Sequence, residues 1–316
     1  MEKPNVKKTL AFVFPGQGSQ KIGMLSELSE TNPIIEQTFA EASEVLGYDL
    51  WDLVQNGTQE DITLTERTQP LLLTASVAVW RVWQQKDCVQ PSLMAGHSLG
   101  EWSALVCAGV VAFKDAVRLV RNRGAYMQEA VPKGEGAMAA IIGLDDEIIK
   151  TICADACQGQ EVAAVNFNSP GQVVIAGNAE AVERAIVACK EAGAKRALPL
   201  PVSAPFHTNL MKPAADRLAE EIMATEFSAP KTLVVHNVHA ATESDPEKIK
   251  QLMIDQICSP VLWVDCVNTL TANGIDSVVE CGAGKVLSGL CKRIERSLGA
   301  FATEDPVSLE KALAEA

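Results

Sequence analysis

The chain has 316 residues, 47% of them hydrophobic, and a formal net charge of -13. Its length and apolar fraction favour one large domain carrying a smaller insert, compact from near residue 8 to near residue 300. The acidic balance disfavours a general nucleic-acid surface, which needs clustered Lys and Arg, so a phosphate-bearing ligand must meet a local basic cluster. In chain order, residues 9–14 read as a buried strand ending at the Pro15-Gly16-Gln17-Gly18 turn. Asn32-Pro33 opens a helix with Ile35, Phe39, Ala42 and Leu46 on one face, and Gly47 closes it. A second helix starts near Pro70 and runs through the apolar segment 71–83. Leu93-Met94-Ala95 is strand-like, 101–106 is a helix stopped at Gly109, and 114–129 is another helix. Strands alternating with helices imply a mainly parallel α/β sheet.

From Gly136 the texture changes, with strands at 137–144, 161–167, 172–177 and 195–200 and helices at 145–157 and 179–193. The order β-α-β-β-α-β is that of a ferredoxin-like unit, with Asn168-Ser169-Pro170-Gly171 as its inner turn. Residues 131–203 are therefore expected to form a small subdomain inserted into a large one made of 1–130 and 204–316. The first style then resumes: a helix over 208–224, a strand at 232–235, a helix before Ser259-Pro260, and a strand at 277–280 running into Cys281-Gly282-Ala283-Gly284.

Residues 1–8 lack the apolar core of a signal peptide, and no segment has some 18 uninterrupted apolar residues. A soluble, cytoplasmic protein is expected. Nine cysteines at irregular spacing suit a reducing compartment. Cys153 and Cys157 lie one helical turn apart, but no second pair or His cluster completes a zinc site, so no metal is expected.

Gly96-His97-Ser98-Leu99-Gly100 places a serine between two glycines where a strand gives way to a helix, the pattern of a nucleophile elbow. A serine hydroxyl needs a base within hydrogen-bond reach. The chain has four histidines. His97 adjoins Ser98 on the turn and should point away from it; His236 and His239 flank Asn237 at a strand end and read as partly exposed structural residues. His207 is left as the candidate base. On the helix over 114–129, Arg123 falls within the apolar stripe of Ala116, Val117, Val120, Gly124 and Met127, whereas Arg118 and Arg121 fall outside it. A buried guanidinium needs an anionic partner, which is either an internal Asp or Glu or the carboxylate of a bound substrate. Gly16-Gln17-Gly18-Ser19-Gln20 completes neither a dinucleotide fingerprint nor a Walker A loop. It is either a plain turn or the source of a second amide beside that of Leu99 for an oxyanion hole.

These residues resemble the malonyl-CoA:acyl carrier protein transacylases and the acyltransferase domains of fatty acid and polyketide synthases over about residues 10–295. The resemblance rests on 12–20 (Phe-Val-Phe-Pro-Gly-Gln-Gly-Ser-Gln), 96–101 (Gly-His-Ser-Leu-Gly-Glu), Arg123-Gly124 with Met127-Gln128, Asn166 to Gln172, Pro205-Phe206-His207 and Gly282 to Leu287. It implies a hydrolase-like large subdomain with a ferredoxin-like insert. It further implies that Ser98 is the acylated nucleophile, His207 the base, Arg123 the malonate anchor, and the Gln17 and Leu99 amides the oxyanion hole. Gln256 matches the position whose main-chain carbonyl orients the histidine, although the neighbouring Asp255 could pass for a triad acid. Phe206 fits members that take unbranched malonyl.

Trp102 stands where tyrosine or phenylalanine is usual, and His236 where asparagine is frequent. No cofactor is implied, only malonyl-CoA and a phosphopantetheinylated acyl carrier protein as substrates. Carrier proteins of this kind are acidic, so docking is expected on a basic patch, with Lys285, Lys292 and Arg293 as candidates, and the enzyme is expected to act as a monomer with no nucleic-acid or membrane partner. A serine thioesterase or hydrolase using the same elbow is the main rival, and a catalytically idle carrier-binding protein a third possibility.

Overall fold

The computed structural model describes residues 9–86, 88–202 and 204–316. Residues 1–8, on which the signal-peptide reading rests, and Ser203, the last residue assigned to the insert, lie outside the described residues. The first strand, β1 (Leu10–Phe14), is buried throughout, and α1 (Ser26–Thr31), α2 (Ile34–Leu46), α3 (Leu50–Asn56), α4 (Gln59–Thr63) and α5 (Thr65–Gln84) follow. Gly47 closes α2 with φ 78°, as a left-handed cap requires. The helix expected from Pro70 begins earlier, at Thr65, and Pro70 lies inside it. The proline removes one backbone hydrogen bond, a penalty of about 3 kcal/mol, but burial of nearly the whole helix from Thr68 to Val79 outweighs it.

Next come β2 (Leu93–Gly96), α6 (Leu99–Cys107) and α7 (Phe113–Glu129), then β3 (Gly136–Ile142), α8 (Asp146–Ala156), β4 (Val162–Ser169), β5 (Gln172–Asn178), α9 (Ala179–Glu191) and β6 (Arg196–Pro199). The chain finishes with α10 (Lys212–Ala224), β7 (Leu233–Val235), α11 (Pro246–Asp255), α12 (Trp263–Ala272), β8 (Ser277–Glu280), α13 (Val286–Ile294), β9 (Gly299–Ala302) and α14 (Pro306–Glu315). The helix expected from residue 208 starts at Lys212, because Asn209–Met211 forms a tighter 3-10 turn first.

Two sheets organise the molecule. The order β7-β2-β1-β8-β9 is parallel throughout. Alternate residues of β1 feed its two faces: Phe12 and Phe14 pack among α2, α5 and α7, whereas Ala11 and Val13 pack with Trp263, Val267 and Leu290. The second sheet, β4-β5-β3-β6, is antiparallel, so β5 separates β3 from β4 and β3 separates β5 from β6. Two interleaved β-α-β crossovers of this kind make the ferredoxin-like unit. Its core is closed by α8 and α9 through Ile149, Cys153, Val182 and Cys189. The segment between α11 and α12 is bridged to β4, where Val261 N donates to Val165 O at 2.8 Å and Phe167 N to Val261 O at 3.0 Å. A cleft lies between the two sheets at the carboxyl ends of β1 and β2, where open parallel sheets bind ligands. Among the described residues, no helix is long and apolar enough to cross a membrane.

Candidate active site

Ser98 occupies the turn between β2 and α6 with φ 51° and ψ -107°, a backbone conformation that costs a non-glycine residue about 1–3 kcal/mol. The flanking glycines are steric necessities. A Cβ on Gly96 would lie 2.0 Å from the Gly100 carbonyl, and one on Gly100 would lie 2.0 Å from Phe14 O. The strain is held by side chains from outside the turn: Ser98 N donates to Asn237 Oδ1 at 2.8 Å, Asn237 Nδ2 donates to Gly96 O at 2.7 Å, and Gln256 Nε2 donates to Ser98 O at 3.0 Å.

The Ser98 Oγ to His207 Nε2 distance is 2.8 Å, and His207 Nδ1 lies 2.9 Å from Gln256 O. A carbonyl can only accept, so Nδ1 carries the proton and Nε2 is free to accept from the serine hydroxyl. His207 is buried, and its own backbone is left-handed at φ 65°. Burial, reinforced by the nearby Arg123 charge, pushes its pKa down to about 3, so the imidazole is neutral near pH 7. Asp255 is exposed and accepts from Gln251 Nε2 at 2.8 Å, whereas Gln256 is fully buried.

Arg123 projects from the apolar stripe of α7, only 2% exposed. Nη1 donates to Gln69 Oε1 at 2.9 Å, and Nη2 donates to Gln256 Oε1 at 3.0 Å and to Ser98 Oγ at 3.2 Å. Its Nε is buried with no hydrogen-bond partner among the described residues. Of the two partners weighed from the sequence, an internal acid in direct contact is not found among the described residues; the acceptors are neutral amides. Burial lowers the Arg123 pKa to about 10, and the charge of Glu101 opposes that fall. A charged fork beside a nucleophile, with no carboxylate on it, can take a substrate anion.

Gln17, Leu99 and Phe206 line the same cavity of about 330 Å³ as Ser98, His207 and Arg123, with Met138, Asn166 and Val202 on the opposite wall. Leu99 is the first residue of α6, so its amide is one of those a helix leaves unbonded. The loop after β1 is pressed onto the elbow, since a Cβ on Gly16 would lie 2.5 Å from His97 O. His97 lines the cavity too, with Nε2 2.7 Å from Asn168 Oδ1. Lys285, Lys292 and Arg293 lie on or beside α13 rather than in the cavity; Lys285 reaches Glu304 at 3.6 Å, and Arg293 Nη1 donates to Gln172 Oε1 at 2.9 Å.

His236 corrects the sequence reading. It is completely buried rather than partly exposed, with Nδ1 2.7 Å from Glu101 Oε1, and His239 is exposed rather than partly so. Gln69 and Asn237 were not singled out for the site. Gln69 ends the polar run Thr65-Glu66-Arg67-Thr68 and Asn237 lies between His236 and Val238, so neither breaks a local pattern that could have marked it. Among the described residues, no cluster of His, Cys, Asp and Glu could hold a metal ion.

The parallel sheet with its elbow serine, neighbouring histidine and buried arginine defines an acyltransferase class of site. A model of the acyl transferase domain matches residues 11–300, and the chain belongs to that family and is an acyltransferase. It is 59% identical over 303 residues to the malonyl CoA-acyl carrier protein transacylase of Salmonella typhimurium, covering 96% of this chain and 98% of the relative. Among solved structures, an acyl carrier protein S-malonyltransferase from Vibrio cholerae is similar at TM-score 0.95 and 60% identity, covering 96% of this chain and all of that one. A malonyl-transacylase solved in complex with a type II PKS acyl-carrier protein is similar at TM-score 0.96 and 58% identity, covering 98% of this chain and 100% of that one.

Proposed function

We propose that the chain moves a malonyl group from malonyl-CoA to the phosphopantetheine thiol of an acyl carrier protein through a Ser98 ester, for fatty acid or polyketide synthesis. The observation that carries this reading is a buried guanidinium on which no carboxylate of the described residues sits, 3.2 Å from the hydroxyl that His207 holds. His207 Nε2 takes the hydroxyl proton as Ser98 Oγ attacks the thioester carbonyl, and the Gln17 and Leu99 amides stabilise the oxyanion. Collapse breaks the C–S bond, and the CoA sulfur leaves with the proton from the imidazolium. The carrier thiol then attacks the malonyl ester with His207 again as base, and Ser98 is restored. The Gln256 carbonyl keeps His207 in the required tautomer, Arg123 binds the malonyl carboxylate, and Phe206 limits space beside the α carbon. Neither half-reaction changes oxidation state, so no bound cofactor is needed.

In this reading the catalytic residues belong to a large subdomain of residues 1–130 and 204–316, and 131–203 form the other wall of the cleft. The carrier docks on Lys285, Lys292 and Arg293. The nine free cysteines fit a cytoplasmic setting. Intact-mass measurement tests the reaction: mixing with malonyl-CoA is expected to add one malonyl group at Ser98, which holo carrier protein then removes. Loss of the adduct to water as fast as to carrier would instead make the protein a hydrolase, and an adduct surviving Ser98→Ala would refute the nucleophile.

A further inference from the structure

Glu101 is a carboxylate with no exposed surface, one turn along α6 from the nucleophile and outside the cavity lining. Its Oε2 accepts from Gln256 Nε2 at 2.7 Å and Asn237 N at 3.1 Å, and its Oε1 faces His236 Nδ1 at 2.7 Å. Gln256 donates its other amide hydrogen to Ser98 O. Both hydrogens are thereby committed, and Oε1 must face Arg123 Nη2, where it lies at 3.0 Å. Turning the amide over would set an oxygen against the carboxylate and an NH2 against the guanidinium, two repulsive contacts in a buried site. We propose that Glu101 is the positioning residue that makes the site prefer a carboxylate-bearing acyl group, acting on Arg123 through the side-chain amide of Gln256.

The physical reason lies in the separation. A buried guanidinium needs negative charge nearby, yet a carboxylate in direct contact would occupy the donors that a substrate carboxylate must use. One amide in between passes the polarity on, negative end toward Arg123, and leaves the fork open. Gln69 Oε1 on Nη1 and Gln256 Oε1 on Nη2 then fix the guanidinium plane. The Glu101 charge also opposes the effect of burial on Arg123, in line with a counter-charge acting at one remove.

This inference rests on the malonyl reading, and the test separates the two. Single-turnover acylation of Ser98 is followed by intact mass with malonyl-CoA and with acetyl-CoA, whose acyl group carries no carboxylate. Glu101→Gln is expected to lower malonylation about tenfold or more, chiefly by raising the malonyl-CoA concentration needed, while acetylation changes less than about threefold. Gln256→Met keeps the main-chain carbonyl for His207 but also frees Ser98 O, so it should lower both acylations, malonylation the more, and the double variant should lose no more malonylation than Gln256→Met alone because one relay is already broken. Should Glu101→Gln fail to fold, Glu101→Asp, which draws the charge back by one methylene, should show the same selectivity in weaker form. Equal losses for both acyl groups, no loss, or additive losses overturn the relay. Absence of a malonyl adduct on the unsubstituted enzyme would overturn the malonyl reading itself and the relay with it.

Discussion

At Ser98 the reactive hydroxyl lies between a neutral imidazole and a charged guanidinium, and those two neighbours control each other. Burial and the Arg123 charge hold His207 down to about 3, against about 6.5 for an ordinary histidine. A carboxylate on Arg123 would relieve that pressure and make His207 a stronger base once substrate is present. At subsaturating malonyl-CoA, where the free enzyme's groups govern the rate, acylation should therefore show no loss near pH 6.5 and fall only below about pH 4, which rapid-quench mass measurement across the range would check. The same displacement has a consequence for stability. Between about pH 6.5 and 3 the unfolded chain binds a proton at residue 207 that the folded chain excludes, so this contribution is whole above 6.5 and is lost on acidification, by up to about 1.4 kcal/mol per pH unit. His97 is shifted in the same direction by burial and adds to the effect. Melting temperature measured against pH should fall less steeply for His207→Gln than for the unsubstituted protein. Parallel curves would mean that His207 is not held neutral by the fold.

At the scale of elements, the elbow works because α6 can start almost against β1. The 2.0 Å approach of a Cβ on Gly100 to Phe14 O is to backbone, so it cannot be relieved by turning a side chain. Gly100→Ala should destabilise the protein by about 3 kcal/mol or more and remove acylation activity with it. Gly289, inside α13 with nothing within 4 Å of its Cβ position, is the matched control, where alanine should stabilise by about 0.5–1 kcal/mol. Denaturant unfolding of both variants checks the pair. The elbow was legible in the sequence because its glycines are fixed by local sterics. Arg123 was legible because a cation in the apolar stripe of α7 breaks a local pattern. The start of α5 was not, since burial of the helix on both sides of Pro70 overrides its local preference for a helix start. Nor was β9, whose Gly299–Ala302 has little strand character and is a strand through its pairing with β8. The surroundings of Glu101 were equally hidden: the Gln256, Asn237 and His236 contacts span more than a hundred residues of chain, and no spacing rule announces them.

For the whole molecule the governing quantity is charge. A chain at -13 repels an acidic carrier at long range, so productive encounter depends on local cations. Lys285, Lys292 and Arg293 are gathered on and beside the single helix α13, all exposed, with Val286 at 54% exposure supplying an apolar contact among them. Arg293 also reaches Gln172 on β5, so the patch spans the seam between the two sheets. Reversing Lys292 and Arg293 to glutamate should slow delivery of malonyl to the carrier about tenfold at low ionic strength and less at higher salt, where screening already shortens the reach of the field to about 8 Å. Malonylation from CoA, whose reacting thioester enters the cavity lined by Ser98 and Arg123, should change by less than about twofold. Timing the two half-reactions separately distinguishes the cases. Equal slowing of both would show that these cations act on the cleft in general and not on the carrier.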